Sequence, residues 1–520
     1  MKQILEKPFY PKPGKTPLED TAAVMRFYKL QKSFSKAALA EARRCASESA
    51  VRKEAESPGR LDLRDRFVFT CDPQTARDYD DALSIGKDRR GNRVLGVHIA
   101  DVSHYVKAGS ALDKEAYRRS TSVYFCDRVV PMLPEALCNG VCSLLPGVDR
   151  LAFSVFMTFD ASGHMVARSF AKSVIRSKAR FTYEQVMAMI SAGKRGAAKR
   201  FPDLKRREVD AVLSIADLAL ELRKRRFAAG ALDIEMPEAE IVLDGDGELE
   251  SIVSRPYDES HQMVEECMVA ANEAVAAELL TKGVKILSRL HEPPDDEKIE
   301  LLTAELCSIG VRPGDLTTRK GLSRFLESTK GHPLYSTIAM MVLRSMKRAV
   351  YDSRSTGHFG LAKKFYAHFT SPIRRYPDLT LHRQLAAHIE GRNARVNPGV
   401  LAKWAAHTSE AEERATEAER ALAEIKKMRF LEREMAGRGG AVHDGVIVKC
   451  MPFGCFVDIP GIAVSGLVHV SSLSRRFVKF NAAGCTLYEP GGRKWRIGDK
   501  MRVRVVRIDT ASRKIDFAPA

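Results

Sequence analysis

Residues 67–85 read FVFTCDPQTARDYDDALSI, an acidic segment set between two short apolar ones. Residues 67–70 and 82–85 have the composition of short buried strands, so the segment between them is predicted to be a loop. Within ten residues this loop carries four carboxylates, those of Asp72, Asp78, Asp80 and Asp81. Carboxylates that face one space raise each other's pKa unless cations lie among them. Mg²⁺ is the expected cation because it prefers hard oxygen ligands.

The composition describes a long, basic chain. It has 520 residues, with 84 Lys and Arg against 66 Asp and Glu, and a formal net charge of +18. A chain of this length predicts about two to four domains. The positive charge favours a polyanionic partner, nucleic acid first, over the alternative of a solvated basic surface without such a partner.

The N-terminal sequence and the cysteines bear on the cellular compartment. The chain begins MKQILEKPFYPKPGKT, which lacks an apolar signal core, and no apolar run approaches the roughly 20 residues of a membrane span. The ten cysteines are scattered without a C-x-x-C pair, so reduced thiols are favoured over disulfides or a zinc site. We therefore expect a cytoplasmic protein with no membrane partner.

Apolar periodicity divides the first 400 residues into a strand-rich part followed by a helix-rich part. Residues 1–20 resemble an extended arm, and residues 21–53 have a helical pattern. Strands are predicted at 94–100, 121–125, 151–159 and 166–175, the first returning as a β-hairpin beside the strand after the acidic loop. Helices are predicted at 183–192, 203–228, 258–282, 296–308 and 334–350. Strands first and helices later indicate an α+β fold.

The remaining chain predicts a connecting helix and a small barrel. Residues 409–435 have helical periodicity, with a capping box at Ser409 and Glu412, and residues 437–440 (GRGG) are the clearest linker. Five short strands in 441–520 indicate a closed barrel. They are predicted at 446–448, 454–457, 466–470, 501–508 and 514–517. The predicted division is therefore 1–60 arm and helical connector, 61–400 main domain, 401–440 helix and linker, and 441–520 barrel.

The acidic loop has the residue types of a phosphoryl-transfer site. Two-metal chemistry needs carboxylates that bracket two ions about 4 Å apart. In an extended segment Asp78 and Asp80 share a side and Asp81 points away, so either the loop bends or Asp81 reaches the site from a different angle. A surface acidic loop remains the alternative, whereas a calcium loop is disfavoured because its regular ligand spacing and distal Glu are missing.

A second candidate site is the run TSPIRRYPD at residues 370–378. Arg374 and Arg375 are held between prolines and form a plausible phosphate clamp, because the guanidinium fork matches phosphate oxygens. A structural ion pair, for instance between Arg375 and Asp378, is the alternative.

Aromatic residues near cations are candidates for nucleic-acid contacts. Tyr124 and Tyr183 could stack on bases, although an ordinary core tyrosine is the commoner explanation for each, and an exposed-face glutamate is the usual explanation for Glu265. In the barrel segment, rings and cations lie close together in sequence: Phe453, Phe456, His469, Lys449, Arg475 and Arg476. This mixture is typical of single-stranded RNA binders, with core aromatics and a basic rim as the alternative.

Several longer motifs carry a family resemblance. They are DPQTARDYDD (72–81), HIADVSHYV (98–106), TSVYF (121–125), PMLPEALCNGVCSL (131–144), HEPPD (291–295), and HFGLA with YAHFTSPIRRYPDL (358–379). Together they resemble the catalytic RNB domain of the ribonuclease II and ribonuclease R family, over residues 61–390. Residues 441–520 look like the S1-type OB module that follows it. The resemblance implies an α+β RNB domain followed by a five-stranded OB-fold barrel.

The resemblance also implies an activity. It is that of a processive 3′→5′ exoribonuclease that hydrolyses single-stranded RNA, or RNA with a 3′ overhang, to nucleoside 5′-monophosphates in RNA turnover. Mg²⁺ is the implied cofactor, with Mn²⁺ as a substitute, and structured RNA is a further implied substrate. Two other classes stay open: a non-catalytic RNA-binding protein on this scaffold, and a DNA-directed or endonucleolytic phosphodiesterase.

By motif, the resemblance also assigns roles to the candidate residues. The four aspartates would be metal ligands, with Asp78 and Asp80 also catalytic, and Arg374 would contact the scissile phosphate. Tyr124 would stack near the 3′ end, and Tyr183 and Glu265 would lie along the last nucleotides. The other implied RNA contacts are Arg375, Phe453, Phe456 and His469.

The chain also departs from the family pattern at its start. Members usually carry two cold-shock OB domains before RNB, and here only residues 1–60 stand in that place. We expect a short form, natural or truncated, whose preference for single strands is relaxed. A monomer is the family-like expectation.

Overall fold

A seven-stranded sheet carries the acidic loop near one edge. The computed structural model describes residues 10–234, 238–255, 257–437, 441–481 and 484–520. Before the sheet come a 3-10 turn (Pro17–Glu19), α1 (Asp20–Phe27), α2 (Lys36–Cys45) and α3 (Glu48–Ala55). The elements that follow are β1 (Leu61–Asp62), β2 (Phe69–Cys71), β3 (Asp81–Lys87), β4 (Arg93–Ala100), α4 (Val102–Tyr105), α5 (Ala111–Arg119), β5 (Val123–Tyr124), β6 (Val129–Val130), a π-helical turn (Ala136–Val141), β7 (Asp149–Phe159), β8 (Met165–Arg176) and β9 (Ala179–Phe181).

The strand order of the large sheet is β1-β8-β7-β4-β3-β2-β9. Most neighbours are antiparallel, whereas the two edge strands, β1 and β9, pair in parallel with β8 and β2. The apolar side chains of the central strands are buried, among them Phe69, Leu95 and Phe153. Burial of this face anchors both ends of the acidic loop, since β2 precedes the loop and β3 follows it.

The predicted strands are largely confirmed. The hairpin is formed by β3 and β4, which pair antiparallel from Asp81 opposite Ile99, and β7 and β8 cover the segments predicted at 151–159 and 166–175. The predicted strand at 67–70 begins only at Phe69. Of residues 121–125, only Val123–Tyr124 is a strand, paired with Val129–Val130.

A helical layer and small hairpins follow the sheet. They are α6 (Tyr183–Arg200), α7 (Arg206–Ala228), β10 (Glu238–Leu243), β11 (Leu249–Arg255), α8 (Glu259–Thr281), β12 (Ser288–Leu290), α9 (Asp296–Ser308), α10 (Arg319–Thr329), α11 (Tyr335–Ser345), β13 (Val350–Asp352) and α12 (Tyr376–Ile389). Helices α6, α7 and α8 share one core with the sheet, and α9, α10 and α11 form a separate small core. The predicted α+β class is confirmed. Within the described ranges, no helix is both long and apolar enough to cross a bilayer.

Four predicted helices agree with the structure and the fifth runs too far. Helices α6, α7, α8 and α9 lie where periodicity predicted them. The helix predicted at 334–350 ends at Ser345, and Val350–Asp352 is instead a strand paired with Ser288–Leu290. The strand pairing overrides a local pattern that would suit a longer helix. Helices α10 and α12 were not predicted.

The long helix α13 (Pro398–Ala436) starts earlier than predicted. The capping box at Ser409 is wrong, because Asn397 caps the helix and Ser409 lies inside it. The Ser409 hydroxyl instead accepts a hydrogen bond from Tyr351 N–H at 3.0 Å and donates one to the Tyr351 carbonyl at 3.3 Å. Gly437 ends the helix, and the rest of the predicted linker, residues 438–440, lies outside the described residues.

The C-terminal part is a closed five-stranded barrel, as predicted. Its elements are β14 (Val442–Met451), β15 (Gly454–Ile459), β16 (Val464–His469), α14 (Val470–Leu473), β17 (Lys479–Asn481), β18 (Thr486–Tyr488), β19 (Lys494–Trp495), β20 (Lys500–Asp509) and β21 (Lys514–Pro519). The barrel order is β14-β15-β16-β21-β20. An unpredicted three-stranded sheet, β17-β18-β19, is inserted between α14 and β20.

A buried lysine ties three distant segments together. The Lys426 ammonium on α13 donates to the carbonyls of Pro17 and Gly247 and pairs with Asp20 at 3.1 Å. Asp20 is completely buried and also receives two hydrogen bonds from Arg429. The N-terminal segment, the β10–β11 hairpin and α13 therefore meet at one ion-paired centre.

Replacing this lysine should destabilise the region where the three segments meet. In Lys426→Met the carbonyls of Pro17 and Gly247 lose their buried donor, which costs about 2–3 kcal/mol. Urea unfolding should show a lower midpoint, and amide exchange should accelerate in residues 14–20 and 244–248. Lys403→Met, an exposed position on the same helix, is the control. Equal midpoints for the two variants would contradict the expected role of Lys426.

Candidate active site

The aspartate loop is fixed at both ends by main-chain hydrogen bonds. Asp72 N–H donates to the Phe181 carbonyl at 3.1 Å, and Asp81 is the first residue of β3. Within the loop, Tyr79 N–H donates to Ser143 Oγ at 3.0 Å. The main-chain carbonyl of Asp80 accepts from Ala100 N–H at 2.9 Å. The loop is therefore anchored to the strands at both ends and to Ser143 in its middle.

Burial makes the aspartates costly to ionise. It raises the pKa of Asp72 to about 7, and the charges of Asp80 and Asp78 add to that rise. Burial likewise raises the pKa of Asp81 to about 8, with Asp72 adding to it. The pKa of Asp80 lies well above its ordinary value, again mainly because of burial, and that of Asp78 is also raised. Carboxylates in this state favour a proton or a cation.

The donor atoms of the loop fit a hard divalent cation. Asp72 Oδ2 is buried and has no hydrogen-bond partner. Among the described residues, however, no three metal-binding side chains converge on one point. Mg²⁺ needs only one or two protein carboxylates because it keeps waters and substrate phosphate oxygens as its other ligands. The loop can thus supply some of the ligands of such an ion, while water and substrate would supply the others.

The two neighbouring arginines make different contacts. Arg374 Nε lies 3.8 Å from Asp80 Oδ2, and its side chain is 41% exposed. Arg375 donates two hydrogen bonds to the buried Asp378 carboxylate, at 2.7 and 2.9 Å. Asp378 also accepts from Ser371 N–H at 2.8 Å. For Arg375, the structure therefore shows the ion pair that the sequence left open as the alternative to a phosphate contact.

The main chain of the same turn reaches Asp80. Ile373 N–H donates to Asp80 Oδ1 at 3.0 Å. One carboxylate oxygen of Asp80 is thereby held by the turn, and the other faces Arg374. The second candidate site and the acidic loop are thus one site, although nearly 300 residues separate them in sequence.

Two tyrosines lie close enough to the aspartates to share their electrostatic field. Tyr124 is 42% exposed, yet the protein around its hydroxyl excludes enough water to raise its pKa; Asp78 and Asp80 add to the rise and Arg374 opposes it. Burial also raises the pKa of Tyr183, with Asp81 and Asp72 adding to the rise. The Tyr183 ring stacks on His261, with centroids 3.9 Å apart. Both hydroxyls therefore lie within electrostatic range of the carboxylates.

The structure separates Glu265 from its neighbour. Glu266 is buried and accepts hydrogen bonds from Arg226 Nε and Nη2. Glu265 accepts a single hydrogen bond from Arg226, at 2.9 Å, and its side chain is 33% exposed. Glu265 is thus the member of the pair with carboxylate surface left for another partner.

The barrel residues share one outer face. On β14 and β15, Lys449 is paired with Phe456, and Gly454 is paired with His469 of β16. The Phe453 and Phe456 rings are 6.3 Å apart and nearly perpendicular. Phe453 and His469 are exposed, so this face offers rings and a cation to solvent.

Arg180 on β9 was missed by the sequence. Its Nη2 donates to the carbonyls of Pro73 and Gln74 at 3.1 and 2.8 Å, and its guanidinium lies over the Tyr79 ring at 5.2 Å. Arg180 also helps to lower the pKa of Asp72, which burial raises. Its Nε is buried without a partner, like Asp72 Oδ2. Only the parallel pairing of β9 with β2 brings it to this loop, and no local pattern encodes that pairing.

Sequence and structure comparisons identify relatives of the chain. Residues 60–391 match the RNB domain family and residues 438–518 the S1 RNA binding domain family. Ribonuclease R of Thermotoga maritima is 42% identical over 483 residues, 90% of this chain and 66% of that protein. Ribonuclease R of Aquifex aeolicus is 38% identical over 500 residues, 95% of this chain and 69% of that protein.

A solved structure is similar over nearly the whole chain. It is Mycoplasma genitalium RNase R in complex with ribose-methylated single-stranded RNA, with a TM-score of 0.87 and 26% sequence identity. The match covers 97% of this chain and 78% of that one. This chain spans only about two thirds of the length of the Thermotoga and Aquifex relatives.

Loss of the Arg180 contacts should loosen the aspartate loop. Each hydrogen bond from the guanidinium contributes about 1.5–3 kcal/mol, so Arg180→Ala should speed amide exchange in residues 74–80 by about 10-fold or more. Exchange mass spectrometry measures this directly. Lys178→Ala, an exposed neighbour, should leave the loop unchanged. Equal amide-exchange rates in the two variants would show that Arg180 does not stabilise the loop.

Proposed function

The chain belongs to the ribonuclease II and ribonuclease R (RNB) family, and from this premise we propose that it is a processive 3′→5′ exoribonuclease. It would hydrolyse single-stranded RNA, or RNA with a 3′ overhang, to nucleoside 5′-monophosphates. The carrying observation is the convergence of two distant segments, in which the buried Asp80 receives Ile373 N–H and lies 3.8 Å from Arg374. Carboxylates beside an exposed guanidinium suit a phosphodiester whose charge grows during reaction.

The metal would be held by the loop. Asp72, Asp78, Asp80 and Asp81 are the proposed ligands, and their carboxylate oxygens suit Mg²⁺ or Mn²⁺. When bound, such an ion supplies Lewis-acid stabilisation of phosphate charge and a more acidic water. Burial holds the pKa of Asp72 and Asp81 near neutrality, so these aspartates would release protons as the cation binds.

The chain's own residues would hold the RNA end. Arg374 would donate to the scissile phosphate and offset its developing charge, and the Arg375–Asp378 pair would fix the turn that carries it. Tyr124 and Tyr183 would stack on the terminal bases. Glu265, with its partly exposed carboxylate, would accept a hydrogen bond from a ribose 2′-hydroxyl, the group that distinguishes RNA from DNA.

The barrel would hold RNA outside this site. Phe453, Phe456 and His469 on its outer face are the proposed stacking groups, with Lys449 beside them as a phosphate contact. We retain the division 1–60, 61–400, 401–440 and 441–520, and propose that the protein acts as a monomer in the cytoplasm. The ten free thiols support a reducing compartment.

Neutralising one aspartate should abolish RNA shortening without abolishing RNA binding. Asp80→Asn removes a charged ligand and the partner of Arg374, so the rate should fall by at least about 100-fold. The assay uses 5′-labelled RNA and matched DNA, with Mg²⁺ or with EDTA. Asp65→Asn, at an exposed position, should behave as wild type.

The outcomes of this assay separate the function classes. RNA that shortens stepwise only with Mg²⁺ supports the proposal. Binding without shortening would assign a non-catalytic RNA-binding protein, and equal cleavage of DNA or internal cuts would assign a different phosphodiesterase. Full activity of Asp80→Asn would overturn the proposed site.

Arg374 should affect the chemical step more than binding. If it acts on charge that develops in the transition state, Arg374→Ala should lower kcat by about 100-fold with little change in KM. Arg374→Lys keeps the positive charge but loses the two-pronged guanidinium geometry, so its kcat should lie between those of the wild type and Arg374→Ala. Arg395→Ala, an exposed arginine after α12, is the control. A rise in KM at constant kcat would instead make Arg374 a ground-state RNA contact.

A further inference from the structure

The small sheet inserted into the barrel is firmly attached to it. Leu487 of β18 and Trp495 of β19 are paired and buried, and both belong to the barrel core. The Trp495 carbonyl also accepts a contact from the Cys450 thiol at 3.6 Å. The inserted sheet is thus part of the rigid barrel, so its outer surface keeps a fixed position relative to the barrel face.

One ring of this insertion points away from the core. Val478 and Phe480 pack against the barrel core, whereas Phe477 is 75% exposed, the highest exposure of any large apolar residue among those described. Packing of the insertion accounts for its neighbours and leaves Phe477 without a structural role. A large exposed ring among charges is a typical feature of a binding surface.

The charges around this ring are positive. Beside it lies a groove of about 610 Å³, lined by serine hydroxyls and by Arg475, Arg476 and Arg493, with one acidic side chain, Glu489. The exposed Lys479 follows in β17. None of these three arginines is ion-paired with a residue that the structure describes, so their donors face solvent. Hydroxyls and unpaired guanidinium groups suit phosphate oxygens.

The groove continues the RNA face of the barrel. His469, on that face, is the N-cap of α14, and its Nδ1 lies 2.8 Å from Ser471 Oγ. Ser471 is also one of the residues that line the groove. An RNA strand bound along the aromatic rings of the barrel face would therefore pass from His469 into the groove.

We propose that Arg475, Arg476, Phe477, Lys479 and Arg493, the insertion surface, bind single-stranded RNA 5′ of the segment on the barrel face. Phe477 stacks on a base, and the cations contact the flanking phosphates. The surface lengthens the binding footprint beyond both the aspartate site and the barrel face. The inference rests on the proposed function, because it takes RNA as the substrate.

The test compares RNA lengths in a chain that does not cleave. In the full chain with Asp80→Asn, anisotropy measures binding of 5′-labelled single strands of about 8 and about 30 nucleotides, lengths chosen from the site sizes of single-strand binders. Arg475→Glu with Arg476→Glu should weaken the long RNA by at least about 10-fold and flatten its salt dependence. The short RNA should bind as before.

The stacking role has its own matched variants. Phe477→Leu should weaken the long RNA by about 5-fold or more, and Phe477→Tyr should not, because only the tyrosine keeps an aromatic face. Thermal unfolding confirms that each variant folds. Arg206→Glu with Arg207→Glu changes the same charge at the exposed start of α7 and should leave long-RNA binding unchanged.

Each other outcome overturns the inference. Unchanged affinity for the long RNA removes the surface from the footprint, while wild-type RNA shortening would leave the proposed function standing. An equal loss in the α7 control assigns the effect to net charge. An equal loss for short and long RNA places the defect at another site. Failure of the wild type to shorten RNA is failure of the proposed function itself.

Discussion

The crowding of four carboxylates in one loop, with Asp80 buried and the other three half-buried, is the constraint on which the rest of the molecule depends. Their repulsion would open an unsupported loop, because each buried charge lacks the solvation that water provides. The strands on both sides and the main-chain N–H of Ile373 hold it closed instead. Arg180 bonds to two of its carbonyls and Arg374 faces Asp80. The scaffold thus stores an unfavourable arrangement of charge that a cation and a phosphate can relieve.

In two pairs of adjacent residues, one member makes a structural ion pair and the other keeps exposed charge for a ligand. Arg375 is ion-paired with the buried Asp378, and the buried Glu266 is ion-paired with Arg226. Their neighbours Arg374 and Glu265 keep part of their charge exposed, 41% and 33% of the side chain respectively. In each pair of adjacent residues, the less exposed member fixes the backbone, and this positions its more exposed neighbour. This explains why charge alone does not tell which member of such a pair meets a ligand.

The sequence was informative where local pattern and burial coincide. Alternation of apolar residues predicted β7 and β8, and the short strands of 441–520 predicted the barrel. Prediction from the sequence failed where pairing between strands that are distant in sequence determines the structure. The strand at Val350–Asp352 exists because Ser288–Leu290 lies beside it, and Arg180 reaches the aspartates only through the parallel pairing of β9 with β2. The motifs singled out the aspartates and Arg374 as candidates, but not Arg180, which supports the loop.

The ion-paired centre at Lys426 has a consequence for how the chain is made. Its partners Pro17 and Asp20 precede it by more than 400 residues, and Asp20 is fully buried once the centre has formed. During synthesis from the N-terminus, the Asp20 carboxylate therefore cannot form its ion pairs with Lys426 and Arg429 until α13 has left the ribosome. The central sheet can form earlier, because its strands lie within residues 61–181. Helix α1 is thus translated before the central sheet but reaches its final place after it.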